Sequence, residues 1–154
     1  MDCSGYDTAP IKDITYIVPQ HEYNEIYIST LSRSRATAEK MFAGEEFKKT
    51  ALINEIPLRS SFDTKIKLPL WFWIISGRMQ WSLNKTRQPE GKLQTTKRAR
   101  KFIKQLSESG SDAAVVTHGF FMHTLLKEMK NAGFKTSKAH AFYKNGEYVV
   151  AERM

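Results

Sequence analysis

One cysteine, Cys3, stands among 154 residues. An internal disulfide framework is thereby excluded, and a reducing compartment fits. Histidine is scarce as well, with four copies at His21, His118, His123 and His140, and no metal-ligand spacing connects them. No apolar run approaches a membrane span. The longest, Leu68 to Ile75, falls far short of the ~20 residues a bilayer requires. The opening MDCSGYDTAP is polar and lacks the apolar centre of a signal peptide, so none is expected. A soluble, cytoplasmic protein is the expectation. There is no internal repeat and no low-complexity segment. Acidic residues are outnumbered 16 to 24, giving a net charge of +8. That excess suits nucleic acid, an acidic surface or an anionic substrate, and its placement has to decide among them.

What is present is an ordinary globular composition: 41% hydrophobic and 26% charged. Three Trp, six Tyr and nine Phe supply enough large apolar area for one sizeable core. A single domain over residues 1–154 is expected. Much of the positive charge lies in TTKRARKFIKQL (95–106). Ala99, Phe102, Ile103 and Leu106 mark one stripe there, and Lys97, Arg98, Arg100, Lys101 and Lys104 mostly occupy the rest. A solvated outer face explains this pattern better than a nucleic-acid surface, since no nucleic-acid motif accompanies it. Nucleic-acid binding is kept as a minor reading.

The periodicities predict an alternation of strands and helices. Residues 1–13 read as turns, and ITYIV (14–18) as a strand cut short by Pro19. EIYIST (25–30) reads as a strand, and 32–43 as a helix with a serine near its start and Gly44 closing it. ALINEI (51–56) reads as a short strand or extended segment. Residues 69–84 predict a helix with Pro69 in its first turn, and about 92–108 a basic helix ending at Gly110. AAVVT (113–117) has the character of a buried strand, and 120–130 that of a helix ending near Gly133. Asn145-Gly146, between AFYK and EYVVA, signals a two-residue hairpin. Together these give an α/β layered sheet flanked by helices.

His118-Gly119 sits where the buried strand hands over to a helix, the edge at which α/β sheets bind ligands. Gly119 allows close backbone approach, and the helix start offers N–H groups and a positive dipole end to an anion. A loop histidine that merely turns or caps the chain is the plain alternative. Arg33 stands in the first turn of the earlier helix, where a cation opposes the dipole. It makes sense there as a bidentate anion ligand, whereas Arg35 reads as solvated.

These stretches carry a family resemblance. IYISTLSRSRATAE resembles the S-P-L-x-R-A-x-x-T-A segment of the histidine phosphatase (phosphoglycerate-mutase-like) superfamily. Ser29, Leu31, Arg33, Thr37 and Ala38 are in register, while Thr30 and Ser34 depart. VVTHGFFMHTL resembles that family's second His-Gly segment, and LINEI (52–56) its L-x-E-I stretch. The three occur in the family's order and span roughly residues 4–150. The resemblance implies a phosphoglycerate-mutase-like fold and no metal or organic cofactor. It implies that Arg33, His118 and Gly119 hold the phosphoryl group and that Glu55 protonates the leaving oxygen, a solvated glutamate being the alternative. The ligand would be a phosphorylated small molecule, a phosphoprotein or free phosphate.

One part of the pattern is missing. The family's attacking histidine lies in an Arg-His-Gly motif at the end of a first, central strand, and no such motif occurs here. His21, His123 and His140 do not match it. The expectation is therefore a domain lacking that strand, either a truncated phosphatase or a non-catalytic phosphate-binding module. Unpaired strand edges would follow unless ITYIV or a second copy fills the place. Segment 57–90 stands where the family carries a cap-like insertion. Its Trp71, Phe72, Trp73 and Trp81 suit core packing first, a substrate lid second and a membrane-interface helix third. Arg59, Arg78 and Arg87 could reach an anion, and no spacing separates them.

Overall fold

In the computed structural model the described residues are 21–138, 143 and 146–153. EIYI and AAVV form adjacent parallel strands, β1 (Glu25–Ile28) and β3 (Ala113–Val116), with Ile28 opposite Val116. Both are apolar nearly throughout, as strands covered on two faces must be. A third strand, β2 (Lys48–Lys49), joins the other side of β1, so the sheet order is β2-β1-β3. Its Lys-Lys sequence marks a short, charged edge.

Side chains alternate across β1, and the alternation defines two layers. Tyr27 faces α3 (Lys92–Ser109) and α4 (Gly119–Asn131) in a core with Ile53, Phe102, Phe121 and Leu125. Ile28 faces the opposite way, where Ala38 of α1 (Ser32–Met41), Val116, Phe42 and Phe47 meet it. Phe102 and Phe121 are fully buried. Burying each contributes about 2–3 kcal/mol before the entropy of ordering it. The stripe of Ala99, Phe102 and Ile103 expected from sequence is the buried face of α3.

Helix ends follow local chemistry. Gly110 closes α3 in the left-handed region at φ 62°, and Gly133 follows α4 at φ 89°. Leu31 is the cap residue of α1 and Ser32 its first helical residue, while Pro69 is the cap residue of α2 (Leu70–Ser82) rather than part of its first turn. Residues 51–56 are not a strand. Thr50 Oγ1 accepts the Leu52 N–H and starts a 3-10 turn, Ala51–Ile53, after which Asn54 is extended. Competition from that hydroxyl redirects the backbone.

The chain ends in an antiparallel ribbon, β4 (Phe134–Thr136) with β5 (Ala151–Arg153), which begins where sequence showed only a helix ending. Gly146 lies in the left-handed region at φ 78°. Of the arms expected beside Asn145-Gly146, residues 147–150 carry no strand, and the preceding arm lies mostly outside the described residues; the expected strand 14–18 lies wholly outside them. Among the described residues the molecule is a mixed α/β fold with a small parallel sheet flanked by four helices.

Candidate functional site

The parallel register carries two polar residues to one edge. Ser29 follows β1 and His118 comes two residues after β3, both beyond the carboxyl ends of the strands. Ser29 Oγ and His118 Nε2 are 2.7 Å apart, and both side chains are buried. Leu31 N–H donates to the same hydroxyl. His118 occupies the cap position of α4 by backbone geometry but makes no side-chain cap bond. Its ring is aimed at β1, so the plain capping role does not describe it.

The two departures from the family segment are both used. Ser34 Oγ accepts the Ser29 N–H at 3.0 Å and donates to the Val116 carbonyl at 2.7 Å, tying α1 to both strands. Thr30 N–H donates to Asn54 Oδ1 at 2.9 Å, a bond that a proline at this position would lack. Arg33 is half-buried in the first turn of α1, which carries no acidic residue.

Glu55 is held rather than solvated. Its Oε1 accepts the N–H groups of Ile56 and Phe121, each at 3.0 Å, and its Oε2 lies 3.4 Å from Phe120 N. The carboxylate thus sits on the positive end of α4. Of the first three amides of that helix, two donate to Glu55, and that of Gly119 has no acceptor among the described residues. A Cβ built on Gly119 would meet nothing within 4 Å.

The loop bearing Glu55 is fixed from α3. Arg98 Nη1 donates to the carbonyls of Ala51, Leu52 and Asn54, while Nη2 pairs with Glu90 at 3.0 Å. Its guanidinium lies over the Phe121 ring. Sequence placed Arg98 among the outward basic residues of this helix. Tertiary packing turned it inward, because only an arginine fork reaches three carbonyls and a carboxylate together.

A further cation stands beside Glu55. Arg78 of α2 stacks on Phe120, and its Nη1 is buried with no hydrogen-bond partner among the described residues. Burial lowers its pKa to about 10, and the neighbouring Glu55 charge works against that fall. His123, one turn into α4, is also held below the ordinary imidazole value, by burial first and by Arg78 second. Sequence alone could not separate Arg78 from Arg59 and Arg87. Arg87 pairs with Asp63 and bonds the Ser60 carbonyl, and Arg59 is exposed. Nor did sequence mark Ser29 as the partner of His118.

Helix α2 closes over this edge. Trp81 Nε1 donates to Thr95 Oγ1 at 3.0 Å, and its ring meets Phe120 edge-on at 4.9 Å. An apolar cleft of about 470 Å³ lies elsewhere, between Phe62 and the outer side of α2. His21, exposed beside Asp112, is remote from the edge in its bonding. Among the described residues no group of three or more His, Cys, Asp or Glu could hold a metal. None of the described helices is long and apolar enough to cross a membrane.

The family model of the histidine phosphatase superfamily (branch 1) matches residues 16–153. No curated protein and no solved structure matches the chain.

Proposed function

The chain belongs to the histidine phosphatase superfamily, and on that premise we propose that it recognises phosphate esters at the edge where β1 and β3 end. The observation that carries this reading is the buried 2.7 Å contact between His118 and Ser29 at parallel strand ends. In this reading His118, Arg33 and the Gly119 amide hold the phosphoryl oxygens, and Arg78 adds a cation from the cap-like segment 57–90. A dianion gains most from buried or amide donors that are already in place, because little ordering remains to be done. Glu55 stands beside this site as the proton donor to a leaving oxygen. The ligand class is a phosphorylated small molecule or a phosphoprotein, with the whole chain acting as one domain.

A second reading, binding without turnover, is favoured by a specific observation. Neither His21 nor His123, the other described histidines, follows a strand of the sheet. The 154-residue chain is therefore expected to bind phosphate with little turnover. Positioned groups without a nucleophile retain weak catalysis elsewhere, so slow hydrolysis remains compatible.

Calorimetric titration with phosphate and vanadate tests binding, and an aryl phosphate assay tests turnover. His118→Ala and Ser29→Ala are each expected to weaken phosphate binding, His118→Ala by about tenfold or more, as loss of a charge-assisted bond implies. Equal, undetectable binding by the parent and both variants would remove the anion-site reading. Trapping a phosphohistidine on this chain would replace the second reading with the enzymatic one.

A further inference from the structure

Helix α2 has the sequence LWFWIISGRMQWS, apolar on nearly every side. Such a helix is stable where every side is covered. Only one side is covered here. Gly77 lies against Leu58 and the Arg59 carbonyl, Ser76 and Gln80 bond to Ser61, and Trp81 reaches Thr95. On the outer side Leu70, Trp71, Ile74, Ile75 and Met79 are exposed, Trp71 by 62% and Met79 by 60%. Ile66 and Leu83 continue the patch at its two ends. A contiguous apolar surface of this kind marks an interaction site rather than scattered exposure.

The charge around the patch says what covers it. Residues 64–89 contain no acidic residue, while Lys65 and Lys67 before the helix and Lys85 after it are exposed. Arg87 is paired with Asp63, whereas these three lysines, with no carboxylate partner among the described residues, frame the apolar stripe at both ends. At about 20 Å, a helix of this length cannot cross a hydrocarbon core of about 30 Å. An exposed apolar stripe with tryptophan on it and lysines at its ends matches a helix lying in the plane of a membrane surface. Lysine stems extend along such a stripe and deliver their ammonium groups to the headgroups.

We propose that α2 is a docking face for an anionic lipid bilayer. Leu70, Trp71, Ile74, Ile75 and Met79 enter the boundary between headgroups and acyl chains, and Lys65, Lys67 and Lys85 meet lipid phosphates and carboxylates. The proposal does not depend on phosphate-ester recognition at His118, whose variants should leave it unchanged.

The test uses the full chain with sedimented vesicles, of phosphatidylcholine alone and of phosphatidylcholine with about one-third phosphatidylserine. Binding to the anionic vesicles is expected, with tryptophan emission shifted to the blue and quenched by brominated acyl chains. Trp71→Glu with Ile75→Glu should lower the partition coefficient by about tenfold or more, since the buried apolar area sets it. Lys65→Glu with Lys67→Glu should lower it by about tenfold or more, each lysine near the surface being worth about fivefold. All four side chains are exposed, and circular dichroism checks that both variants fold. No binding to anionic vesicles at low salt would overturn the proposal. So would binding that survives Trp71→Glu with Ile75→Glu but is lost on reversing Lys101 and Lys104 of α3. A dimer dispersed by Trp71→Glu with Ile75→Glu, with no vesicle binding by the parent, would assign the face to a second copy instead.

Discussion

Gly119 can be changed without disturbing anything the protein itself has packed there, which makes it a probe of what a ligand needs. A Cβ at this position meets no atom within 4 Å, and its φ is not in the left-handed region. Gly119→Ala is expected to keep or raise stability by up to about 1 kcal/mol, because alanine restricts the unfolded chain. Phosphate binding should nonetheless weaken if the amide approaches the anion closely, and calorimetric titration beside a melting curve separates the two effects. Arg78 offers the converse case. Burial that lowers its pKa to about 10 disfavours the charged form in the folded chain, and Nη1 has no bond among the described residues in return. At neutral pH the cation is a cost to folding. Arg78→Met should therefore raise Tm by roughly 2–4 °C, the shift for about 1 kcal/mol in a chain of this size, while weakening phosphate binding. A fall in Tm would show that the guanidinium is stabilising where it lies.

At the scale of elements, two contacts decide how the site is held. Arg98 locks the 3-10 turn and Asn54 onto α3, and its own side chain and that of Glu90 are both largely buried. Arg98→Ala leaves Glu90 buried and three carbonyls unsatisfied, so a loss of about 3 kcal/mol is expected in urea unfolding. Arg98→Met with Glu90→Leu should cost less, because no charge is left unpaired. Glu55 should lose its position in both, and any turnover that depends on its proton with it. The second contact is the corner between α2 and α3. A Cβ on Gly91 would lie 2.8 Å from Asn84 Oδ1 and 3.1 Å from Asn84 Cα, and Asn84 already has φ 53°. Asn84 Oδ1 accepts the Leu93 N–H that starts α3. Gly91→Ala is expected to cost about 1–3 kcal/mol through overpacking, read as a lower urea midpoint at unchanged slope.

For the whole molecule, His123 sets a pH window. Its pKa in the folded chain is lowered by burial and by Arg78, against the pull of Glu55. The unfolded chain takes up a proton near the ordinary value of about 6.5, while the folded chain resists it. Stability is then complete above that pH and declines as the pH falls below it, until the folded imidazole also protonates. Thermal melts between about pH 7.5 and 5.5 should show the decline, and it should shrink in His123→Gln. Arg78→Met should shrink it too, since one cause of the lowered pKa is removed. An identical decline in the parent and both variants would place its origin elsewhere in the molecule.

Local chemistry was sufficient for much of this protein. Periodicity and the glycines at 44, 110 and 133 located the four described helices to within about two residues at each end. The apolar runs EIYI and AAVV identified the two paired strands. Three short motifs in order identified the superfamily, and His118 was legible because a strand, His-Gly and a helix follow one another in sequence. What sequence left undecided depends on which segments meet. β2 and β4 are too short to show a pattern, and they exist because a neighbouring strand supplies their partners. Residues 51–56 have strand composition but turn, because the Thr50 hydroxyl and Arg98 bind their backbone. Ser29 and His118 lie 89 positions apart in the chain and meet only through the register of β1 on β3. Three arginines in residues 57–90 are equivalent by spacing, and folding distinguishes them. It gives Arg87 a carboxylate, leaves Arg59 in water and buries Arg78 beside Glu55. Periodicity reports which face of an element is apolar, whereas the desolvation and pairing of a charge depend on neighbours brought from elsewhere in the chain.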